Sequence, residues 1–105
     1  MTPEDFVKAF YKEKEQLLKL YFDKNQETAV GVEIQSLKLR FGKKDKLRKI
    51  LDLALKDALY TILLGLDGAT SIGDKQEIYS LHDETGNELT GGDIQGLAWE
   101  YFQEE

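Results

Sequence analysis

The sequence predicts an α+β domain, mostly helical. About four helices surround a central apolar helix, Asp45 to Leu66, with one β-hairpin before the C-terminal helix. Three observations predict this class. The stretch DKLRKILDLALKDALYTILLGL places Leu47, Ile50, Leu51, Ala54, Leu55, Ala58, Leu59, Ile62, Leu63 and Leu66 at steps of three and four, the period of a helix. Residues Glu77 to Asp83 alternate as a strand does, and Glu84-Thr85-Gly86-Asn87 supplies turn residues before a short return from Glu88 to Thr90. At 105 residues, 41% hydrophobic and 32% charged, the chain is the size of one domain with one core.

The first helix follows from Thr2, which can cap it, with Pro3 at the first helical position and Asp5 completing a capping box. Phe6, Phe10, Leu17 and Tyr21 form one stripe; Val7, Tyr11, Leu18 and Phe22 form its neighbour. Asp23, Lys24 and Asn25 end it. Thr28 to Phe41 fits a helix through Val30, Ile34, Leu37 and Phe41, capped by Thr28 and stopped by Gly42. It also carries two strand-like alternations. These lose phase between Ile34 and Leu37, which favours the helix.

Gly42 to Lys46 is a polar connection, and Asp45 caps the central helix. That helix is apolar on most sides, so it is expected to be buried on most sides. It is too short and too charged to span a bilayer, and no membrane association is expected. Asp67-Gly68 and Gly73-Asp74 are stop or turn signals, and Gly91-Gly92 breaks the chain. Asp93 caps the last helix, which carries Ile94, Leu97, Trp99, Tyr101 and Phe102. The hairpin must lie against the helices, because a lone hairpin is marginal.

There is no cysteine, so disulfide and thiolate chemistry are excluded. The start, MTPEDFVKAF, has acids where a signal peptide needs bases, so a cytoplasmic location is the expectation. His82 is the one histidine and has no nucleophile at triad spacing, so it reads as a strand histidine rather than a base. Asp83, Thr85 and Asn87 begin like a calcium loop, but Glu88 and Ile94 stand where Gly and Glu are needed. Gly68 and Gly73 have the spacing of a phosphate loop, but Asp74 stands where Lys is needed. Asp67, Asp74, Asp83 and Glu84 read as a solvated acidic surface. Trp99, Tyr101 and Phe102 read as core aromatics on a terminal helix. No metal, no cofactor and no catalytic residue is expected.

Only the charge distribution points outward. The net charge is −6. Met1 to Lys56 holds thirteen bases against nine acids; Asp57 to Glu105 holds one base, Lys75, against eleven acids. Such asymmetry bears on partners rather than on fold.

The segment around LYTILLGLDGA, with a hairpin and an aromatic-ended helix after it, resembles small bacterial proteins of uncharacterised or toxin-immunity type. The resemblance runs from Ala58 to Phe102 and rests on the short motif Leu66-Asp67-Gly68. It implies a non-enzymatic bacterial protein, and no functional residue carries over.

The leading expectation is a protein-binding module. Its acidic half would bind a basic protein partner through Asp67, Asp74, Asp83, Glu84, Glu88 and Asp93, as an immunity protein binds a nuclease-type toxin. The alternative is a nucleic-acid or phosphate-binding module working through Lys38, Arg40, Lys43, Lys44, Lys46, Arg48 and Lys49. A small enzyme around His82 and Asp83 ranks last. The residues do not fix an oligomeric state.

Overall fold

Four helices run in order: α1 (Pro3–Tyr21), α2 (Ala29–Ser36), α3 (Phe41–Leu66) and α4 (Asp93–Phe102). They belong to a computed structural model, which describes residues 1–104.

The capping box forms as written in the sequence. Thr2 Oγ1 accepts the Asp5 N–H, and an Asp5 carboxylate oxygen accepts the Thr2 N–H, each at 3.1 Å. α1 then lies on α3 and α4. Val7, Leu63, Ile94, Ala98 and Phe102 form the buried core, ringed by Phe6, Phe10, Tyr11, Leu59, Tyr60, Leu97 and Tyr101. Tyr11 meets Phe102 edge-on at 5.5 Å between ring centroids. Offset and edge-on aromatic pairs of this kind stabilise a core beyond their area. The core sits where α1, the C-terminal half of α3 and α4 converge.

The α+β class is not what the chain adopts. Among the described residues there is no sheet and no hairpin, only two isolated bridges, Ile72 with Lys75 and His82 with Glu88. The reason is visible in the local hydrogen bonds. Leu81 gives its N–H to Thr90 Oγ1, and the Asp83 carboxylate takes the N–H groups of Thr85 and Asn87. Side-chain oxygens thus take the Leu81 and Asn87 donors, and only the bonds from Leu89 N–H to the Leu81 carbonyl and from Asp83 N–H to the Asn87 carbonyl remain of a ladder. Ile78, Tyr79 and Ser80 are all exposed, so the alternating segment has no buried face to hold a register.

α3 also departs from expectation. It begins at Phe41, with Arg40 as N-cap and no side-chain cap bond, four residues before Asp45. Thr28 to Phe41 is not one helix: α2 stops at Ser36, and Lys38 adopts a left-handed φ of 50° before α3 starts. The expectation that α3 is buried on most sides fails. Only Leu63 and Gly65 of its residues are buried. α1 and α4 cover one side, and α2 packs on α1 rather than on α3.

The molecule is therefore elongated, 46 × 28 × 27 Å. Its radius of gyration is 16.2 Å, against about 13 Å for a compact chain of this length. Gly65 is where the chain after α3 turns back onto the helix. A Cβ there would stand 2.2 Å from Ile72 Cγ1, so only glycine admits that contact.

Candidate functional site

The uncovered side of α3 forms a groove. Leu47, Leu51, Ala54, Ala58 and Ile62 are spaced four, three, four and four residues apart. At 100° per residue they share an arc of about 80°, centred roughly 100° away from the core-facing Leu59. At one end Val30 and Ile34 of α2 and its C-cap Leu37 stand beside Leu47 and Leu51 around a hollow of about 470 Å³. At the other, Ser71, Ile72 and Gly73 stand beside Ala54, Ala58 and Ile62 around a hollow of about 550 Å³. Leu51 and Ala54 are neighbours on the helix surface, so the two hollows lie end to end along one face of α3, and together they are called the groove.

Its lining is mostly apolar, with Glu33, Asp57 and Thr61 beside the apolar residues, and is in contact with water. Leu37 is 59% exposed and Ile62 42%, and Phe41, at the basic end of the groove, is 83% exposed. Exposed apolar side chains thus line one face of α3. The small side chains of Ala54 and Ala58 in the middle let another helix approach closely.

The expected acidic residues divide by role. Asp67 is committed within the fold: its Oδ1 accepts from Gly91 N and Gly92 N, and its Oδ2 from Gln95 N. Asp83 is likewise committed. It accepts from the Met1 ammonium at 2.9 Å, from Thr85 N and Oγ1, and from Asn87 N and Nδ2. The Met1 ammonium, then Asn87 and Thr85, hold its carboxyl well below the usual carboxylate range. Asp74, Glu84, Glu88 and Asp93 are exposed. Asp74 sits in a tight turn at φ 66°, Asp93 opens α4, and Glu88 lies across the bridge from His82. The six do not converge on one spot. No group of three His, Cys, Asp or Glu side chains among the described residues is placed to hold a metal ion.

The basic residues are better gathered. Lys38, Arg40, Lys43, Lys46, Arg48 and Lys49 are exposed and Lys44 is half-buried. Among the described residues none of the seven makes an ion pair. Arg48 instead lies over the Phe22 ring at 5.3 Å. Lys24, Lys38 and Lys44 line a cleft of about 360 Å³ beside the start of α3. The basic end of the molecule and its acidic end are thus separated along α3, which spans about 39 Å.

Sequence reasoning missed Lys14. Its side chain is 1% exposed, and its ammonium binds Asp52 of α3 and Glu15 (3.0 Å to Glu15), 4.6 Å from the Tyr11 ring centroid. Burial pulls its pKa down, but the bonds to Asp52 and Glu15 prevail and leave it above the ordinary lysine value. A signal existed: both apolar stripes of α1 skip position 14, where a lysine stands in line with Val7 and Leu18. The groove was missed because periodicity reports an apolar face without saying what covers it.

No helix among the described residues is long and apolar enough to cross a membrane. The chain matches no protein-family model, no curated protein and no solved structure.

Proposed function

We propose that the chain is a non-enzymatic protein-binding module whose docking surface is the α3 groove, and that its natural occupant is an amphipathic helix. The observation that carries this reading is the continuous strip from Leu47 to Ile62, walled by Leu37 at one end and Ile72 at the other. Helix-in-groove recognition reads such a strip through anchors at steps of three and four. The basic end near Lys43 and Lys44 and the acidic end near Asp74 orient the incoming helix and speed its encounter. This moves the binding surface away from the acidic half. Asp67 and Asp83 serve the fold, while Asp74, Glu84, Glu88 and Asp93 act as steering charges for the basic part of a partner. An immunity-type role, covering a basic toxin, is compatible with that division of labour.

A displayed library of amphipathic helical peptides tests the reading. Binders should carry an apolar stripe and lose binding when the groove is altered by Leu51→Asp or Ala58→Asp. Binders that tolerate both changes contradict it.

One observation favours a second reading. The first turn of α3 has no side-chain cap and no acid, and Lys38, Arg40, Lys43 and Lys44 surround it. Free N–H groups and cations together suit phosphate. If this end binds nucleic acid, affinity should fall steeply and linearly on a log scale with salt.

A further inference from the structure

We propose that the basic end binds single-stranded nucleic acid, with the Phe41 ring as the platform for one base and Lys24, Lys38 and Lys44 as partners of the flanking phosphates. The inference rests on the second reading above, phosphate recognition at this end, and names the polymer. It starts from charge. Lys38 to Lys49 holds seven bases and one acid, Asp45, so this run carries +6 and the rest of the chain −12. Among the described residues no ion pair joins any of the seven to an acid. The acids beyond the far end of α3 lie more than a Debye length away (about 8 Å in physiological salt) and do not neutralise them. Cations held together against their own repulsion favour a polyanion, which also releases its counterions on binding.

The cleft gives these cations a shape. Lys24, Lys38 and Lys44 line a hollow of about 360 Å³ together with the Gln35 amide, and no acid lines it. Ile34 and Leu39 supply its apolar wall. A flat anionic membrane would meet few of these groups at once, whereas a strand can lie within the hollow. Lys38 stands at a left-handed φ of 50°, a conformation in which glycine or asparagine rests at lower cost. The chain thus keeps a cation at a position where the backbone alone would favour another residue.

Phe41 selects the kind of polyanion. It is 83% exposed, against 50% for Trp99 and 38% for Tyr79. Phe41, Lys44 and Arg48 fall at steps of three and four, so they share one stripe of α3, and the ring and the cations are neighbours. A polyphosphate has nothing to set on an aromatic ring, but every base has a face that stacks on one. In a duplex those faces already cover one another, so only a single strand offers one to Phe41. The −12 on the rest of the chain repels a long duplex laid along the molecule and confines contact to this end.

Fluorescence anisotropy of a labelled oligothymidylate of about 16 nucleotides, titrated with the full chain at about 50 mM salt, is the test. The strand should bind, and the same sequence paired in a duplex should bind more weakly. Phe41→Ala should weaken strand binding about tenfold, the effect of one stacked base, and Phe41→Trp should retain it. The melting temperature should not fall in either variant, because the ring stands in water. Lys44→Gln should reduce the slope of log affinity against log salt by about 0.7. Lys38→Asn should weaken binding without lowering the melting temperature. Equal affinity for strand, duplex and inorganic polyphosphate, all indifferent to Phe41→Ala, overturns the single strand and leaves the phosphate reading standing. No binding of any of the three refutes both. Phosphatidylserine vesicles that bind through Phe41 where the oligonucleotide does not would overturn the proposal in favour of a lipid surface.

Discussion

The carboxylate of Asp67, at the C-terminal end of α3, accepts the N–H of Gly92, the N-cap residue of α4, at 2.8 Å. Gly92 stands at φ 108° and has no side chain with which to cap its own helix. Asp67 caps it from 25 residues away and also takes the N–H groups of Gly91 and Gln95. One side chain therefore closes one helix onto the start of another, which fixes α4 against the core.

Asp67→Ala should cost about 1–3 kcal/mol, because backbone donors lose a charged acceptor. Asp67→Asn should cost less, since one oxygen remains. Urea denaturation gives the totals, and amide exchange in α4 should rise first. A change within about 0.5 kcal/mol, the size of an ordinary surface substitution, would mean that water satisfies α4 equally well.

Lys14 and Asp52 should behave asymmetrically. Asp52→Ala strands a buried ammonium with only Glu15 to meet it, and should cost about 1–3 kcal/mol. Lys14→Met fills the same space and leaves Asp52 in reach of water and of Lys56, 3.7 Å away. It should cost less than Asp52→Ala. The opposite order in chemical denaturation would show that the lysine, not its partner, determines the stability of this contact.

Asp83 should hold its loop through the pH at which ordinary aspartates protonate. Its folded pKa is lowered, first by the Met1 ammonium and then by Asn87 and Thr85. A lowered carboxylate stabilises fully above its unfolded pKa and loses that contribution as pH falls through the folded value. The amide resonances of Thr85 and Asn87 should therefore stay unchanged through about pH 4, the usual aspartate range, and move only in stronger acid. Asp83→Asn should disturb both at neutral pH. A midpoint near that of a free aspartate would show that the loop bonds contribute nothing.

Part of this was legible in the residues. Thr2, Pro3 and Asp5 wrote the start of α1, and the three-and-four spacing wrote most of α3. The hairpin was not legible, because alternation from Glu77 to Asp83 describes an extended chain and not its partner. The hydroxyl of Thr90 and the carboxylate of Asp83 took the donors that a strand would have paired. The burial of α3 was misread for a related reason. Leu47, Leu51 and Ile62 are as apolar as Leu63, yet only Leu63 meets α1 and α4. Asp67 and Asp83 were read as outward-facing because sequence shows a charge but not which backbone donors surround it.

Photo-crosslinking from inside the groove tests the docking surface most directly. A photoreactive residue at Ala58 of the full chain, irradiated in cells that express it, should yield a discrete adduct whose mass names the occupant. The same residue at the exposed Lys12, on the outer face of α1, should yield none. Absence of an adduct at Ala58, or equal adducts from both positions, would contradict the account.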